Sequence, residues 1–426
     1  MFIDVFLQTS RLDHITQVMG FHPQYLEHFF RTQNFMLRGD GPLPYDYRHY
    51  IAIMAAARHR CLYIVRLQET EYLLQGGDPE WLKGIHHVPH KLRHLNDLNK
   101  KLAHRPWLVT KDDIQKLLRG EDNWSVSELV HAITLLTHFH SLCSYVYGCG
   151  IHPEIDMEGG HTMKPPSVTE VTNTKDHHMS NCQNSADANH VQSDPETGEG
   201  VEELMQRMRR LEESEAEEPT QEERVKRFEK VEKQSVELLP HPEEHVDVDV
   251  DVLKAGLSKY IEDPDFSYED FAKRGSMSSI PTFRVQDYSW EDHGFSLVNR
   301  LYSDIGPILD DKFHAAYELT YNTMGMKRNV DTSTLRRAIW NYIHCMYGIR
   351  HDDYDYGEVN HLLERNLKAY IKTVACFPER TTKKDFDAFW RGFEYSEKVH
   401  VNLMVLEARM QAELLYALRA IMRYMI

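Results

Sequence analysis

Thr320 and Thr323 stand three residues apart, Thr332 and Arg336 four apart, and Trp390 and Glu397 seven apart, so each pair shares a face if its segment is helical. Together these groups have the chemistry to hold a free amino acid. A guanidinium grips a carboxylate through two parallel N–H bonds, and a glutamate answers an ammonium. Threonine hydroxyls meet the remaining donors and acceptors, and Leu335 with Trp390 offers an apolar slot for a side chain. Spacing does not show that the segments meet. On spacing alone, the plainer reading is a structural Arg–Glu pair beside a core tryptophan.

A second constellation carries thiol chemistry. Cys61, Ile64, Val65 and Gln68 fall at i, i+3, i+4 and i+7 of a helical stretch, with the basic Arg58 and His59 close in sequence. A nucleophilic cysteine needs a lowered pKa, commonly from a neighbouring cation. The plainer reading is a small buried hydrophobe. A third stretch, His351-Asp352-Asp353-Tyr354-Asp355-Tyr356-Gly357-Glu358, lacks the regular acids and closing bidentate glutamate of a calcium loop. Exposed tyrosines among carboxylates suit a protein-binding surface, where aromatic anchors supply contact energy and acids select charge. A solvated acidic turn is the plainer alternative. His86, His90 and His94 are four apart, but Pro89 interrupts the helix that a metal site would need, so neither metal nor cofactor is expected.

The elements that must position these groups are helical. The chain has 426 residues, enough for about two or three domains. Forty-nine Lys and Arg against 66 Asp and Glu leave a net charge of −17, a poor surface for phosphate backbones or anionic lipid, so nucleic acid is not an expected partner. Apolar positions recur at three and four over 11–151, with 47–74 the clearest helix. From residue 152, Pro, Ser, Thr, Asn and acids mark a solvated linker, with helical pieces over 201–233 split by Pro219. The HVDVDVDV run at 245–252 reads as loop, because its acids would repel along a sheet edge.

Helical periodicity returns near residue 260 and includes a helix over 332–348 behind the candidate cap Asp331. The apolar segment from Val401 is broken by Glu407, Arg409, Glu413, Arg419 and Arg423, too often for a bilayer span, so a buried helix and no membrane insertion are expected. Six scattered cysteines and an opening without a basic and then apolar leader point to the cytoplasm or nucleus, with thiols reduced. Cys61-Leu62-Tyr63-Ile64-Val65-Arg66 set against Cys345-Met346-Tyr347-Gly348-Ile349-Arg350 favours a duplicated helical domain.

Long stretches resemble the sestrin family: RHYIAIMAAARHRCLY from Arg48, LAHRPWL from Leu102, LTYNTM from Leu319, LRRAIWNYIHCMYGIRHDDYDYGEVN from Leu335 and SEKVHVNL from Ser396. The resemblance implies an all-α fold of two alkylhydroperoxidase D-like helical domains, 1–151 and 260–426, joined by the partly disordered, partly helical acidic linker 152–259. Sestrins usually carry a longer amino terminus, so the chain is similar to a short form. The family's function is that of a stress-induced, leucine-responsive inhibitor of TOR complex 1, which binds the second GATOR subcomplex until free leucine releases it. Positions matching the family's leucine site are Thr320, Thr323, Thr332, Leu335, Arg336, Trp390 and Glu397, with His22 as a lid contact. Those matching its GATOR surface are Asp352 and Asp353, with Tyr321 nearby. The alternative implied is a cysteine-dependent alkylhydroperoxide reductase using Cys61 and Tyr63. Here Ile64 stands in the place of a resolving cysteine and Gln68 in that of the relay histidine, so turnover is expected to be weak or absent.

Overall fold

Residues 48–58 are buried on every side, so the helix they form has no solvent face and must be wrapped by others. The computed structural model describes residues 2–9, 11–120, 122–154, 195–213, 219–238, 256–276, 280–319 and 322–426. Thr320, Tyr321, the 245–252 run and most of the polar linker lie outside them. In the first half the main helices are α1 (Pro23–Arg38), α2 (Tyr45–Arg58), α3 (Leu62–Leu74) and α4 (Val126–Gly148). Ser125 and Glu128 close a capping box at the start of α4. The helix expected over 47–74 is two helices. Arg60 takes a left-handed φ of 50° and Cys61 N donates back to Ala56 O at 3.1 Å, which makes Cys61 the N-cap of α3. Such a conformation costs an L-residue roughly 1–2 kcal/mol, and nothing in the arginine's residue type announces it.

The second half contains α5 (Pro195–Glu213), α6 (Gln221–Val236), α7 (Ile305–Glu318), α8 (Ser333–Met346), α9 (Arg365–Cys376) and α10 (Tyr395–Met425). Two minimal ladders accompany this all-α body. β1 (Phe283–Arg284) pairs in parallel with β4 (Ile349–Arg350), and β2 (Thr323–Met324) forms an antiparallel hairpin with β3 (Lys327–Arg328).

Of the charges that interrupt α10, Glu407, Arg409 and Glu413 are buried and partnered, whereas Arg423 is exposed. Arg409 Nε donates to Glu413 Oε1 at 2.9 Å, His140 of α4 lies 2.8 Å from Glu413, and Lys312 of α7 lies 3.1 Å from Glu407. Tyr25 of α1 donates to the same Glu407. These bonds tie α10 to helices of both halves, and one apolar core runs through the two. Among the described residues no helix is long and apolar enough to cross a membrane.

The linker expected over 152–259 is, where described, part of this packing. Phe228 and Val231 of α6 are buried, and Lys372 Nζ of α9 donates to Ser235 O at 2.5 Å. The segment 256–276 touches both halves, since Tyr260 donates to Leu82 O at 3.0 Å and Tyr268 to Met346 O at 2.9 Å. The six-residue internal match does not align equivalent positions, because Cys61 opens α3 whereas Cys345 lies in the last turn of α8. What the halves share is a long buried closing helix, α4 and α10, packed against each other.

Candidate functional site

The β2–β3 hairpin, the start of α8, the turn at 390–393 and the first turns of α10 enclose a cavity of ≈ 320 Å³. Thr323, Thr332, Leu335, Arg336, Trp390 and Glu397 all line it. The structure therefore brings together every described member of the expected amino-acid site, Thr320 being outside the described residues.

Asp331 Oδ1 accepts from Ser333 N at 2.8 Å and fixes the first turn of α8. One turn on, Arg336 Nε donates to Thr332 Oγ1 at 3.2 Å and Nη1 donates to the Tyr317 carbonyl. Among the described residues its bonds thus go to a hydroxyl and a carbonyl, not to a carboxylate. Partial burial draws its pKa down from the usual guanidinium value.

Glu397 is 4% exposed. Its carboxylate accepts from Gly325 N at 3.0 and 3.3 Å and from Glu394 N at 2.7 Å, the second being half of the capping box that opens α10. Burial pushes its pKa up and the backbone N–H groups oppose that. A buried carboxylate that meets amides but no cation has attraction left for an ammonium. The Thr323 hydroxyl faces the same carboxylate, buried and without a hydrogen bond of good geometry.

The close approach of hairpin and turn depends on Gly325, at φ 62°, where a Cβ would come 2.8 Å from the Gly392 carbonyl. Trp390 is itself at φ 47°, a sparsely populated region for a bulky residue, and its ring stacks on Phe393 at 4.3 Å. Trp390 therefore reaches the cavity from a strained turn ahead of α10. The shared helical face expected for Trp390 and Glu397 does not exist, although both arrive at the same place.

Met324, Ile339, Phe393, His400, Val401 and Met404 complete the walls and were not anticipated. Ile339 lies i+4 from Leu335, and Val401 and Met404 lie i+4 and i+7 from Glu397, so helical spacing could have found them. Met324 and Phe393 come from turns and carry no periodic signal. His400 Nε2 donates to Ala316 O at 3.1 Å, and burial lowers its pKa to about 3, which keeps it neutral. His22 bonds Ser396 O at 2.8 Å, and its ring is 5.7 Å from that of His400. It buttresses the start of α10 from the first half without lining the cavity.

The acidic loop differs from expectation. Asp352 is only 3% exposed, and its carboxylate accepts from Arg350 Nε at 2.9 Å, Arg284 Nε at 3.2 Å and Gln221 Nε2 at 2.9 Å. It braces the loop against β1 and the start of α6 rather than facing a partner. Tyr354 and Tyr356 are buried too, their rings edge to face at 5.1 Å, so the loop offers no exposed tyrosine anchors there. Asp353 remains outside, 3.1 Å from Arg337 Nη2, with its side chain 78% exposed.

Around Cys61 the polar groups are engaged elsewhere. The thiol is 1% exposed and neighbours Cys143, whose own pKa burial drives up. Arg58 donates to the carbonyls of Glu262 and Asp263, and His59 accepts from Arg409 at 2.7 Å, burial holding its pKa well down. Tyr63 donates to Glu154, and Gln68 Oε1 accepts from His49 Nδ1 at 2.8 Å. Among the described residues no three His, Cys, Asp or Glu side chains gather as a metal site.

The sequence matches the family described as PA26 p53-induced protein (sestrin) over residues 1–425. Sestrin-1 of Mus musculus is 57% identical over 432 residues, spanning 100% of this chain and 86% of that protein. Sestrin-3 of Mus musculus is 56% identical over 430 residues (99% and 87%), and Sestrin-2 of Homo sapiens is 52% identical over 431 residues (99% and 86%). The chain belongs to the sestrin family.

Proposed function

With membership of the sestrin family as premise, we propose that this chain is a leucine sensor and stress-responsive negative regulator of TOR complex 1. It works in the cytoplasm and nucleus by binding the second GATOR subcomplex when leucine is scarce. The observation that carries the reading is a cavity of ≈ 320 Å³ onto which Arg336 and Glu397 both open, neither with an ionic partner among the described residues. Leucine would place its carboxylate on Arg336, its ammonium on Glu397 and Thr323, and its side chain against Leu335, Ile339, Trp390 and Met404. An ion buried without partners costs several kcal/mol or more, so both charged residues are required for binding to be favourable. One methylene in an apolar pocket is worth about 1–3 kcal/mol. Isoleucine and methionine therefore compete weakly, whereas glycine and charged amino acids do not.

A route from ligand to partner runs through α7 and α8. A ligand carboxylate competes with the Tyr317 carbonyl for Arg336, and the Tyr317 ring packs edge-on against Trp340 at 5.5 Å. The next residue, Arg337, holds Asp353. For leucine to release the partner it must bind the free state more tightly, and the partner must weaken leucine binding by the same factor. Calorimetry with and without the GATOR subcomplex tests this, preceded by a thermal-shift screen of the twenty amino acids. Equal leucine affinity in the two states would end the proposal.

A further inference from the structure

On the opposite side of α8 from the amino-acid cavity lies a larger cleft of ≈ 830 Å³ between α7, α8 and the short π-helix Trp290–Gly294. Trp290, Phe313, Tyr317 and Trp340 form its aromatic wall. Aromatic faces attract cations through the ring quadrupole. Glu291, Asp310, Glu318 and Asp353 stand around it; Asp310 accepts from Trp290 Nε1 at 2.9 Å and lies 3.4 Å from His314, and the one guanidinium, Arg337, serves Asp353 at 3.1 Å. His351, also on the wall, has its pKa lowered to about 4 by burial and adds no positive charge near neutrality.

Acids and rings alone would be an ordinary surface. The independent observation is Asn341, 4% exposed and on the cleft wall, whose side-chain oxygen has no hydrogen-bond partner while its Nδ2 donates to Arg337 O at 3.0 Å. A buried acceptor left without a partner is destabilising, and an incoming N–H donor would relieve that.

We propose that this cleft receives an arginine or lysine side chain from a protein partner. The cation would lie against Tyr317 and Trp340, with an N–H on Asn341 and the flanking backbone of the partner along Asp353. The partner's identity rests on the GATOR reading above; the chemistry of the cleft does not. A free amino acid is the wrong occupant, because its carboxylate would meet four acids and an arginine already engaged. A residue within a chain carries no such carboxylate.

The test titrates Nα-acetyl-arginine amide into the protein with neither leucine nor partner present, read through tryptophan fluorescence and calorimetry. Saturable binding is expected, weakened at least tenfold in the Glu291→Gln/Glu318→Gln double variant and at least threefold for free arginine. An unchanged melting temperature in that variant shows that it is folded. Equal binding of Nα-acetyl-norleucine amide, or undiminished binding in the double variant, would overturn the proposal. Because the titration involves no leucine and no GATOR protein, failure of the leucine reading leaves it standing, and the converse also holds.

Discussion

The surroundings of Cys61 and Arg336 solve opposite problems on one scaffold. Each residue lies at the beginning of a helix that packs into the shared core. Around Cys61, the tyrosine, glutamine, histidine and arginine that could assist a thiol are bonded to Glu154, His49, Arg409 and loop carbonyls. Around Arg336, a guanidinium and a buried carboxylate face one cavity and are satisfied only by neutral groups. A residue list does not distinguish the two regions. The contrast lies in which polar groups have bonding capacity left, and that is where a ligand gains free energy.

The largest expected effect breaks the comparison at the cavity. Glu397→Ala or Arg336→Ala should abolish leucine binding by calorimetry, a loss of at least about 100-fold, while Trp390→Leu should retain binding and blur the preference for leucine. Undiminished affinity in Glu397→Ala would make the cavity merely structural.

Next in size is the loop. Asp352→Ala removes a buried carboxylate from two partly solvated arginines and should cost about 1–3 kcal/mol, seen as an early melting transition. Asp353→Ala is exposed and should stay within about 0.5 kcal/mol. Partner capture lost in Asp353→Ala at unchanged melting temperature would assign the contact to Asp353. The same loss in Asp352→Ala would be explained by unfolding.

Acid should then strike both halves together. His131 in the first half and His400 in the second have their pKa lowered to about 3, and His351 to about 4, by burial. In the unfolded chain they bind protons below about 6.5 while the native state does not. Their stabilising contribution is therefore whole above that pH and declines as pH falls toward 4, by about 1.4 kcal/mol per unit for each group. Glu407, whose pKa is raised by burial, works in the opposite direction. A single melting transition that drops between pH 7 and 5 is expected; two separable transitions would argue against the common core.

The smallest effect sharpens the thiol side. Cys61→Ser should leave organic hydroperoxide turnover at background, and Gln68→His should raise it only slightly, since the thiol is 1% exposed. Turnover abolished by Cys61→Ser would overturn this.

Helical periodicity made α8 legible, and the i, i+4 pair Thr332 and Arg336 is realised as a hydrogen bond of 3.2 Å. Periodicity also identified the C-terminal segment as buried helix rather than membrane span. It missed the break at Arg60, because a left-handed arginine leaves no compositional trace. Neither periodicity nor the resemblance signalled that Asp352 is buried, which Arg284 and Gln221, 68 and 131 residues away, bring about. It paired Trp390 with Glu397 for a wrong geometric reason, since a strained turn rather than a helical face delivers the tryptophan.

Helix α10 has 31 residues. At 1.5 Å per residue it is a rod of about 46 Å. Glu397 lies in its first turn, and its middle is clamped to α4 and α7 by Glu413 and Glu407. In mechanical terms it is a beam with a fulcrum at the seam of the two halves. A tilt of about 3° imposed at the cavity, pivoting near the middle, would carry the far end through about 1 Å. The shelf beside Arg119, which stacks on Tyr424 near that far end, is therefore the place on the first half where leverage from the cavity would be felt.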